Sequence, residues 1–344
     1  MRALVFASDG QDGYYLVRLL LKKGYQVYGA VRKKARYQRD IRLNEIAEYQ
    51  EIFADLTDFS SLINAIAESK PTEIYNLAGQ SEIPVSWRQP SLTAEVNALG
   101  VVRILEAIRI VNPAIRFFQA SSSEMFGSNH LIPLNEDSIL KPRNPYGTSK
   151  LFAHWSVSNY REQYGLFACS GILFNHESPM RGIEFVTRKI AKAAAEIKLG
   201  KLDVLKLGNI YAVRDWGHAE DYVRAMWMML QQPQPKDFVI ATGVGHTVKE
   251  FAEEAFRMVD IELVWEGSGM EEMARNAETG NLVIQIDPQL YRHVKHDCIV
   301  GDPSRVKREL GFVPQPAFTQ IIREIVMTEL KRLRESGEGK KLLL

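Results

Sequence analysis

The sequence predicts an α/β fold in which a doubly wound parallel sheet is joined to a smaller, discontinuous C-terminal lobe. The chain opens with a strand, a glycine turn, a helix and a second strand. Short apolar strands that end in small or polar residues then alternate with helices as far as Phe174, and the alternation weakens beyond that point. Strands and helices that alternate in this way form parallel sheets, whose ligands bind at the carboxyl ends of the strands.

The first element is a βαβ unit with glycines at its turn. Residues 2–7 read as a buried strand, residues 14–23 as a helix with leucines along one face, and residues 25–31 as a second strand. The turn Gly10-Gln11-Asp12-Gly13 lies between the first strand and the helix. Backbone N–H groups and the positive end of a helix can hold a pyrophosphate there, as in Rossmann-type dinucleotide sites. A plain tight turn is the alternative.

The residues after the second strand bear on the choice of dinucleotide. The run Arg32-Lys33-Lys34 stands where a site for NAD normally has an acidic residue that binds the ribose 2′-hydroxyl. Cations at this point favour a 2′-phosphate. The sequence therefore predicts NADP in preference to NAD, with a solvated basic loop as the alternative.

The next strands bring polar residues to the same edge of the sheet. Strand 52–54 leads to Asp55-Leu56, strand 73–77 ends in the run Leu77-Ala78-Gly79-Gln80-Ser81, and strand 116–120 leads to Ser121-Ser122-Ser123-Glu124. A helix is predicted over about residues 93–111. Because the carboxyl ends of parallel strands meet at one edge, we expect these three groups to line one crevice.

A tyrosine precedes a lysine by four residues, Tyr146 and Lys150, at the start of a helix that runs towards Tyr164. This spacing puts the phenol and the ammonium one turn apart on one helix face. The lysine charge would then lower the pKa of the phenol, so that it could take a proton from a sugar hydroxyl near neutral pH. A half-buried tyrosine beside an exposed lysine is the structural alternative.

The rest of the chain is predicted to divide between two lobes. A strand over residues 168–174 leads to Asn175-His176, and returns to the sheet region are expected around residues 215–222 and 237–241. The predicted dinucleotide-binding domain comprises residues 1–176, about 209–242 and 284–302. The predicted substrate-binding lobe comprises about residues 177–208, 243–283 and 303–335, and residues 336–344 are expected to form a frayed tail.

The composition argues against several classes of function. The 344 residues carry 43 Lys and Arg against 42 Asp and Glu, so neither a basic nucleic-acid stripe nor a polybasic membrane patch is expected. The two cysteines are too few for a disulfide framework or a cysteine-based metal site. The sequence has no signal-peptide pattern and no apolar run of about 18 residues. We therefore expect a cytoplasmic protein with no metal, nucleic-acid partner or membrane anchor.

Longer strings of residues resemble a known family. With its glycine turn, serine–glutamate pair and Tyr-x-x-x-Lys pattern, the chain resembles the extended short-chain dehydrogenase/reductases. Within that group it is similar to the GDP-mannose 4,6-dehydratase family over nearly its whole length. The strings that carry the resemblance are GQDG (10–13), DLTD (55–58), QAS (119–121), YGLFAC (164–169), GILFNHESP (171–179), FVTRKI (185–190), RDWGHA (214–219) and FVIATG (238–243).

The resemblance implies a reaction and a role for four residues. Tyr146, polarised by Lys150, would take the proton from the sugar 4-hydroxyl while hydride leaves C4, and Ser122 would bridge to that oxygen. Glu124 would remove the C5 proton as a base and then, as an acid, assist the loss of water from C6. The substrate would be GDP-mannose, and the product would be a 4-keto-6-deoxy sugar nucleotide.

The resemblance also implies two binding sites and an assembly. The cofactor residues it indicates are Gly10, Gln11, Asp12, Gly13, Arg32, Asp55, Leu56, Leu77, Ala78, Gly79, Gln80, Ser81, Tyr146, Lys150, His176 and Arg181. The substrate residues, expected near the nucleotide diphosphate, are Asn175, Val186, Lys189, Arg214 and Arg292. A homodimer or homotetramer is implied, although segment 35–44 lacks the serine-rich stretch that the family uses in its tetramer.

Departures from the family pattern leave alternatives open. Ala7 and Asp9 stand in the glycine turn, where a methyl group crowds the backbone and a negative charge lies near the pyrophosphate. Lys295 replaces a glutamate that helps to hold the nucleoside, so the base and the sugar stay open. The alternatives are a 4-epimerase or 4-dehydrogenase of a related sugar nucleotide, or a non-catalytic nucleotide-binding homologue. Glu124 favours the dehydratase, because a 4-epimerase needs the tyrosine but no C5 base.

Overall fold

The structure of the protein, a computed structural model, describes residues 1–32, 48–127, 132–291, 297–315 and 317–338. Its contacts divide the chain into two units. Unit 1 comprises residues 1–174, 219–243 and 301–314, and unit 2 comprises residues 175–218, 244–300 and 315–344. Each unit has a hydrophobic core of its own.

A seven-stranded parallel sheet forms the centre of unit 1. Its strands are β1 (Arg2–Phe6), β2 (Gln26–Val31), β3 (Tyr49–Phe53), β4 (Glu73–Asn76), β5 (Arg116–Ser122), β6 (Ala168–Leu173) and β10 (Phe238–Ile240). Their spatial order is β10-β6-β5-β4-β1-β2-β3. β1 lies between β2 and β4, at the reversal of strand order where doubly wound sheets bind their ligands. The predicted fold class is confirmed.

Helices cover both faces of this sheet. They are α1 (Gln11–Lys22), α2 (Phe59–Ser69), α3 (Ile83–Arg88), α4 (Pro90–Ala94), α5 (Gly100–Val111), α6 (Pro145–Tyr164), α8 (Ala219–Leu230) and α10 (Ser304–Leu310). One core lies beneath α1, α8 and α10 and includes Leu16 and Met226. The other lies beneath α2, α5 and α6 and includes Ile104 and Val157. Both cores are built from the apolar faces that helical spacing predicts.

Three element boundaries differ from those expected, and each of them affects the site. α1 begins at Gln11 and not at Tyr14, so most of the expected turn is the first turn of the helix. β5 continues to Ser122, because its last residues still pair with β6. The helix expected over residues 93–111 is interrupted by a π-helical segment, Glu95–Leu99, between α4 and α5. Such a widened turn keeps the helical pattern of apolar residues, so periodicity alone does not reveal it.

The described part of unit 2 forms two small sheets. One comprises β7 (Asn175–Glu177), β9 (Val213–His218), β11 (Gly245–Thr247) and β15 (Cys298–Ile299), each of the other three pairing with β9. The other comprises β8 (Leu205–Leu207), β12 (Leu263–Glu266), β13 (Met273–Asn276) and β14 (Leu282–Ile286). The longer helices of unit 2 are α7 (Val186–Lys198), α9 (Val248–Arg257) and α11 (Phe318–Glu338). In the core of this unit, alanines of α7 lie in one cluster with Phe251 of α9 and Ile322 of α11. None of the helices described in either unit combines the length and the apolar character that crossing a membrane requires.

The two units differ from the expected lobes at several segments. Residues 209–218 and 284–300, expected with the large sheet, belong to unit 2, where β9 and β14 pair with other strands of that unit. Residues 303–314, expected in the lobe, belong to unit 1, because α10 packs against β10 and α8. Asn175 and His176 fall in unit 2 with β7. The helix α11 continues to Glu338, past Ser336, where the frayed tail was expected to begin.

Candidate active site

Tyr146 lies in the first turn of α6. Asn144 is the N-cap of this helix, and its side-chain oxygen accepts a hydrogen bond from Gly147 N at 2.7 Å. Pro145 occupies the first helical position, where its fixed φ suits the start of a helix. The sequence Asn-Pro thus fixes where the helix begins, and the half-buried Tyr146 follows directly.

Glu124 is held against this helix start. It lies in a 3₁₀ turn, Ser123–Met125, that follows β5. Asn144 Nδ2 donates a hydrogen bond to Glu124 Oε2 at 2.9 Å. A Cβ on Gly147 would lie 2.5 Å from the carbonyl oxygen of Glu124, so only glycine permits α6 to approach this backbone so closely. Asn144 therefore orients the carboxylate, and Gly147 allows the approach.

Ser122 is the buried last residue of β5. Its hydroxyl oxygen accepts a hydrogen bond from Glu124 N at 3.2 Å and so caps the 3₁₀ turn. The same strand end thus presents Ser122 and Glu124, and α6 packs against both β5 and the turn. The structure brings Ser122, Glu124 and Tyr146 onto adjoining segments of unit 1.

Lys150 follows Tyr146 by one helical turn and is 5% exposed. Its Nζ donates a hydrogen bond to the carbonyl oxygen of Ala120 at 2.8 Å and lies 5.9 Å from the centroid of the Tyr146 ring. Burial lowers the pKa of Lys150 to about 8, and the charge of Asp12 opposes that shift. The exposed lysine of the structural alternative is therefore wrong. Lys150 links α6 to β5 and lies close enough to the phenol for its charge to act there.

The residues after β1 form the start of α1. Gly10 is the N-cap, and the N–H groups in the first turn of a helix have no partner within the helix, which makes such a start a site for anions. A Cβ on Gly13 would lie 2.2 Å from the carbonyl oxygen of Ala7, which is the close helix–strand packing that the last glycine of a dinucleotide turn provides. Ala7 has a φ of 56°, in the left-handed region that favours glycine. The crowding predicted at this turn therefore takes the form of backbone strain at Ala7. The turn still closes, because Gly10 N donates a hydrogen bond to Ala7 O at 2.9 Å.

The loops after β3 and β4 complete this edge of the sheet. Asp55 Oδ1 accepts hydrogen bonds from Thr57 N and Thr57 Oγ1 at 2.9 and 2.8 Å, and Leu56 is buried. In the loop 77–81, Gln80 N donates to Asn97 Oδ1 at 2.8 Å, and Asn97 Nδ2 donates to Gln80 O at 2.9 Å. Together with the start of α1, these loops offer fixed backbone on both sides of β1. This arrangement fits an extended dinucleotide.

Arg32 directly follows β2 and is exposed. A cation at the end of this strand suits a phosphate on the ribose of a dinucleotide. Lys33 and Lys34, which follow it in the sequence, lie outside the described residues.

Three of the predicted binding residues lie in one sheet of unit 2. Asn175 and His176 belong to β7, which pairs with β9, and Arg214 lies on β9. The Arg214 guanidinium donates to Asp297 Oδ1 at 2.8 Å and to the carbonyl oxygens of Val213 and Asp297. The pairing of β7 with β9 thus brings Asn175 and Arg214 into the same sheet, although they are far apart in the sequence.

The other predicted residues of unit 2 lie near the start of α7. Arg181 Nε lies 3.3 Å from Glu177 Oε2, and its guanidinium stacks on the Phe185 ring at 3.5 Å. Val186 begins α7 and is partly exposed.

Lys189 lies on the first turn of α7. Its Nζ donates to the carbonyl oxygen of Lys206 at 2.8 Å, and burial lowers its pKa. Arg292, Lys295 and segment 35–44 lie outside the described residues.

Sequence reasoning missed two asparagines at this site. Asn144 has a local signal, because an asparagine before a proline is typical of a helix N-cap, but its contact with Glu124 depends on the approach of two distant segments. Asn97 has no such signal. It lies in the π-helical segment and joins the loop after β4 to Ser149 of α6, whose Oγ accepts from Asn97 Nδ2 at 3.2 Å.

Comparison with known proteins matches nearly the whole chain. The family model for GDP-mannose 4,6 dehydratase matches residues 4–325. A GDP-mannose 4,6-dehydratase from Yersinia enterocolitica is 44% identical, and the match covers 97% of this chain and 95% of that protein. A GDP-mannose 4,6 dehydratase from Homo sapiens is also 44% identical, over 96% of this chain and 92% of that protein.

A solved structure shares the fold. The UDP-glucose 4-epimerase from Thermotoga maritima, crystallised with UDP-glucose, superposes with a TM-score of 0.82. The match covers 97% of this chain and 100% of that chain, at 21% sequence identity. At this identity the likeness concerns the fold alone.

Proposed function

We infer that this chain, which belongs to the GDP-mannose 4,6-dehydratase family, converts GDP-mannose into GDP-4-keto-6-deoxymannose and water. The family match makes the chain a nucleotide-sugar 4,6-dehydratase, which is a hydro-lyase. One observation carries the assignment of the chemistry to residues. The Glu124 carboxylate is bound by the N-cap of the helix that carries Tyr146. A carboxylate at this place supplies the C5 base that elimination requires.

In the proposed first step, Tyr146 removes the proton of the sugar 4-hydroxyl. The positive charge of the buried Lys150 favours the phenolate over the phenol. The hydroxyl of Ser122, presented by the end of β5, donates a hydrogen bond to the same sugar oxygen. A nicotinamide cofactor, held by the residues named below, would supply the redox chemistry needed at C4 and C6. Oxidation at C4 acidifies the proton on C5.

In the proposed second step, Glu124 carries out the elimination. As a carboxylate it removes the C5 proton, and as the resulting acid it gives a proton to the C6 hydroxyl, which leaves as water. Reduction at C6 then requires a proton at C5, and the proton that Tyr146 took from the 4-hydroxyl balances it. The hydrogen bond from Asn144 takes one carboxylate oxygen, Oε2, and keeps the group in one orientation for both transfers.

We propose NADP as the cofactor in preference to NAD. The exposed Arg32 at the end of β2 supports this choice, because a cation there pairs with a 2′-phosphate. The start of α1 is proposed to bind the pyrophosphate. The proposed cofactor residues are Gly10, Gln11, Asp12, Gly13, Arg32, Asp55, Leu56, Leu77, Ala78, Gly79, Gln80, Ser81, Tyr146, Lys150, His176 and Arg181.

The nucleotide diphosphate of the substrate is assigned to residues of unit 2. Arg214 and Lys189 support this assignment, because their cationic groups match phosphate charge. Arg214 now binds Asp297. The diphosphate would either displace Asp297 from Arg214 or bind Arg214 beside it. Asn175, Val186 and Arg292 complete the proposed set.

We further propose that the protein is a homodimer or homotetramer whose copies meet through α3, α4 and α6. A cavity of about 750 Å³ on this face is lined by Trp87, Leu99 and Phe152 and by residues 142–145 and 148–149 at the start of α6. Trp87, Phe152 and Trp155 are each at least half exposed. Exposed apolar patches of this kind are typical of interfaces between protein chains.

The reaction tests the proposal directly. Purified protein incubated with NADP⁺ and GDP-mannose should yield a product with the alkali-induced ultraviolet absorbance of a 4-keto sugar. Mass spectrometry of the product should show the loss of one water. GDP-glucose and UDP-glucose serve as comparison substrates. GDP-glucose differs from GDP-mannose in the sugar alone, and UDP-glucose differs from GDP-glucose in the base alone.

Each outcome of this assay has a definite meaning. A 4-keto signal with UDP-glucose and none with GDP-mannose would reject the substrate assignment. A product of unchanged mass with inverted C4 would identify an epimerase. A Tyr146→Phe protein with full turnover would reject the proposed mechanism.

A further inference from the structure

An arginine outside the catalytic groups is bonded to the loop that follows β3. Arg103, on α5, donates from Nη1 to the carbonyl oxygen of Leu56 at 3.1 Å. Its Nη2 pairs with the Glu95 carboxylate, and its Nη1 also lies 3.5 Å from the Glu95 carbonyl oxygen. Arg103 therefore ties the Leu56 backbone to the π-helical segment.

The π-helical segment brings Glu95 and Arg103 together. With 3.6 residues per turn, two residues eight apart on an α-helix point in directions that differ by about 80°. A widened turn takes up part of that rotation. Gly100 N donates to the carbonyl oxygen of Glu95, five residues back, which is the hydrogen bond of a π turn. The π-helical segment therefore places Glu95 where it can bind Arg103, the residue that is hydrogen-bonded to Leu56.

A second contact from α5 restrains the same residue. A Cβ on Gly100 would lie 2.8 Å from the Cβ of Leu56, so the helix and the loop are in close contact at this point. Gly100 and Arg103 are three residues apart and share a helix face. Leu56 is therefore restrained at its side chain by Gly100 and at its carbonyl group by Arg103.

Asp55 is fixed beside it. Its N–H donates to Ser61 Oγ at 3.0 Å, and its Oδ1 accepts two hydrogen bonds from Thr57. The dipeptide Asp55-Leu56 thus has hydrogen-bond partners at both ends before any ligand binds. Groups held in their binding conformation lose less entropy on binding and so bind more tightly.

We propose that Arg103, supported by Glu95, is a positioning residue for the cofactor: it holds Asp55 and Leu56 in the conformation that receives the adenosine half. This inference rests on the proposed function, which assigns Asp55 and Leu56 to the cofactor site. Arg103 acts through the Leu56 backbone and not on the reacting atoms. Its loss should therefore weaken binding of the adenosine half and leave binding of GDP unchanged.

The test uses the nucleotide-free protein and isothermal titration calorimetry. The probe is 2′,5′-ADP, which carries the adenosine and the 2′-phosphate of NADP without the nicotinamide. We expect Arg103→Met to weaken its binding about tenfold, which corresponds to about 1.4 kcal/mol, and to change the Kd of GDP by less than about twofold. The matched control is Arg109→Met. Arg109 lies on the same helix and pairs with Glu106 at 2.8 Å, and its loss should leave both affinities at the wild-type value.

The outcomes separate this inference from the proposed function. A folded Arg103→Met protein that binds 2′,5′-ADP with wild-type affinity overturns the role of Arg103, as does a fall in thermal unfolding temperature with no change in affinity. If Arg103→Met does not fold, Arg103→Lys takes its place. Lysine keeps the charge but lacks the planar fork, so about threefold weaker binding is expected, and wild-type affinity overturns the proposal. If the wild-type protein itself does not bind 2′,5′-ADP, the proposed cofactor site fails and this inference fails with it.

Discussion

Asn144 uses its two side-chain atoms for two different purposes. Its Oδ1 caps α6 through Gly147 N, and its Nδ2 binds the carboxylate of Glu124. The first contact concerns the stability of the helix, and the second concerns the orientation of the proposed base. Substitutions that remove one contact and keep the other can measure the two effects separately.

We expect Asn144→Ser and Asn144→Ala to lower turnover of GDP-mannose to a similar extent. Both lose the amide N–H that reaches Glu124, which the shorter serine hydroxyl does not replace, and a hydrogen bond to a charged group contributes about 1.5–3 kcal/mol, or roughly a 10- to 150-fold effect on rate. Serine still caps a helix, whereas alanine does not, so only Asn144→Ala should lower the free energy of unfolding, by about 1 kcal/mol. Steady-state kinetics and urea unfolding give the two values. An Asn144→Ser protein with wild-type turnover would show that the bond to Glu124 has no catalytic role.

Some site residues were accessible from the sequence and others were not. Tyr146 and Lys150 stand in a local pattern that suggests their chemistry, whereas the roles of Ser122 and Glu124 come from the family resemblance, and all four roles stay predictions. Asn97 binds the loop after β4 only because the π-helical segment lies beside that loop. No local sequence pattern predicts this tertiary contact. Residues that act through tertiary contacts are therefore the ones that sequence reasoning misses.

At the scale of elements, the turn after β1 carries a strained residue. Ala7 has a φ of 56°, and the left-handed conformation costs an L-residue about 1–2 kcal/mol. Glycine relieves this strain but gains freedom in the unfolded chain, which offsets about 0.4–1 kcal/mol. We therefore expect Ala7→Gly to raise the free energy of unfolding by about 0.5–1 kcal/mol, measured by urea unfolding.

The matched control for Ala7→Gly is the same substitution in a right-handed helix. Ala67 is exposed on α2, where glycine costs about 1 kcal/mol, so Ala67→Gly should change stability in the opposite direction. If Ala7→Gly destabilises the protein as much as Ala67→Gly does, the strain at Ala7 does not exist in solution.

The elements also show where pattern reasoning stops. Strands β1, β2 and β4 were predicted to within two residues at each end, because apolar runs bounded by glycine and polar residues define them well. The irregular elements were not predicted. Neither the π-helical segment nor the 3₁₀ turn at Glu124 follows from the periodicity of the apolar residues.

At the scale of the whole molecule, the apolar face on α3, α4 and α6 makes a prediction about assembly. We expect the wild-type protein to have at least twice the mass of one chain in size-exclusion chromatography with light scattering. The double substitution of Phe152 and Trp155 by Glu places two charges on each copy of this face and should yield a monomer. Val313→Glu introduces a charge at another exposed apolar residue and should leave the mass unchanged.

This assembly prediction has a clear negative result. A double variant with the wild-type mass would place the contact elsewhere on the surface. A wild-type protein that is monomeric at micromolar concentration would reject the oligomer itself.

The doubly wound sheet was predicted correctly because its strands recur at regular intervals along the chain. The division of the second half was predicted less well. Segment 209–218 was expected with the large sheet, but β9 pairs instead with β7, β11 and β15. A short strand carries no signal that identifies its partners, so the sequence alone leaves the choice of sheet open.

The order of segments in unit 1 has a consequence for how the protein is made. Where the structure describes residues 1–174, they supply the six strands β1 to β6, but α8, β10 and α10, which complete one core and one sheet edge, come from residues 219–314. As the chain leaves the ribosome, α1 is the first helix over this core, and α8 and α10 follow only after residues 175–218 and then 244–300 have been synthesised. Part of this core therefore stays uncovered until late in translation, and exposed apolar surface of this kind is prone to aggregation.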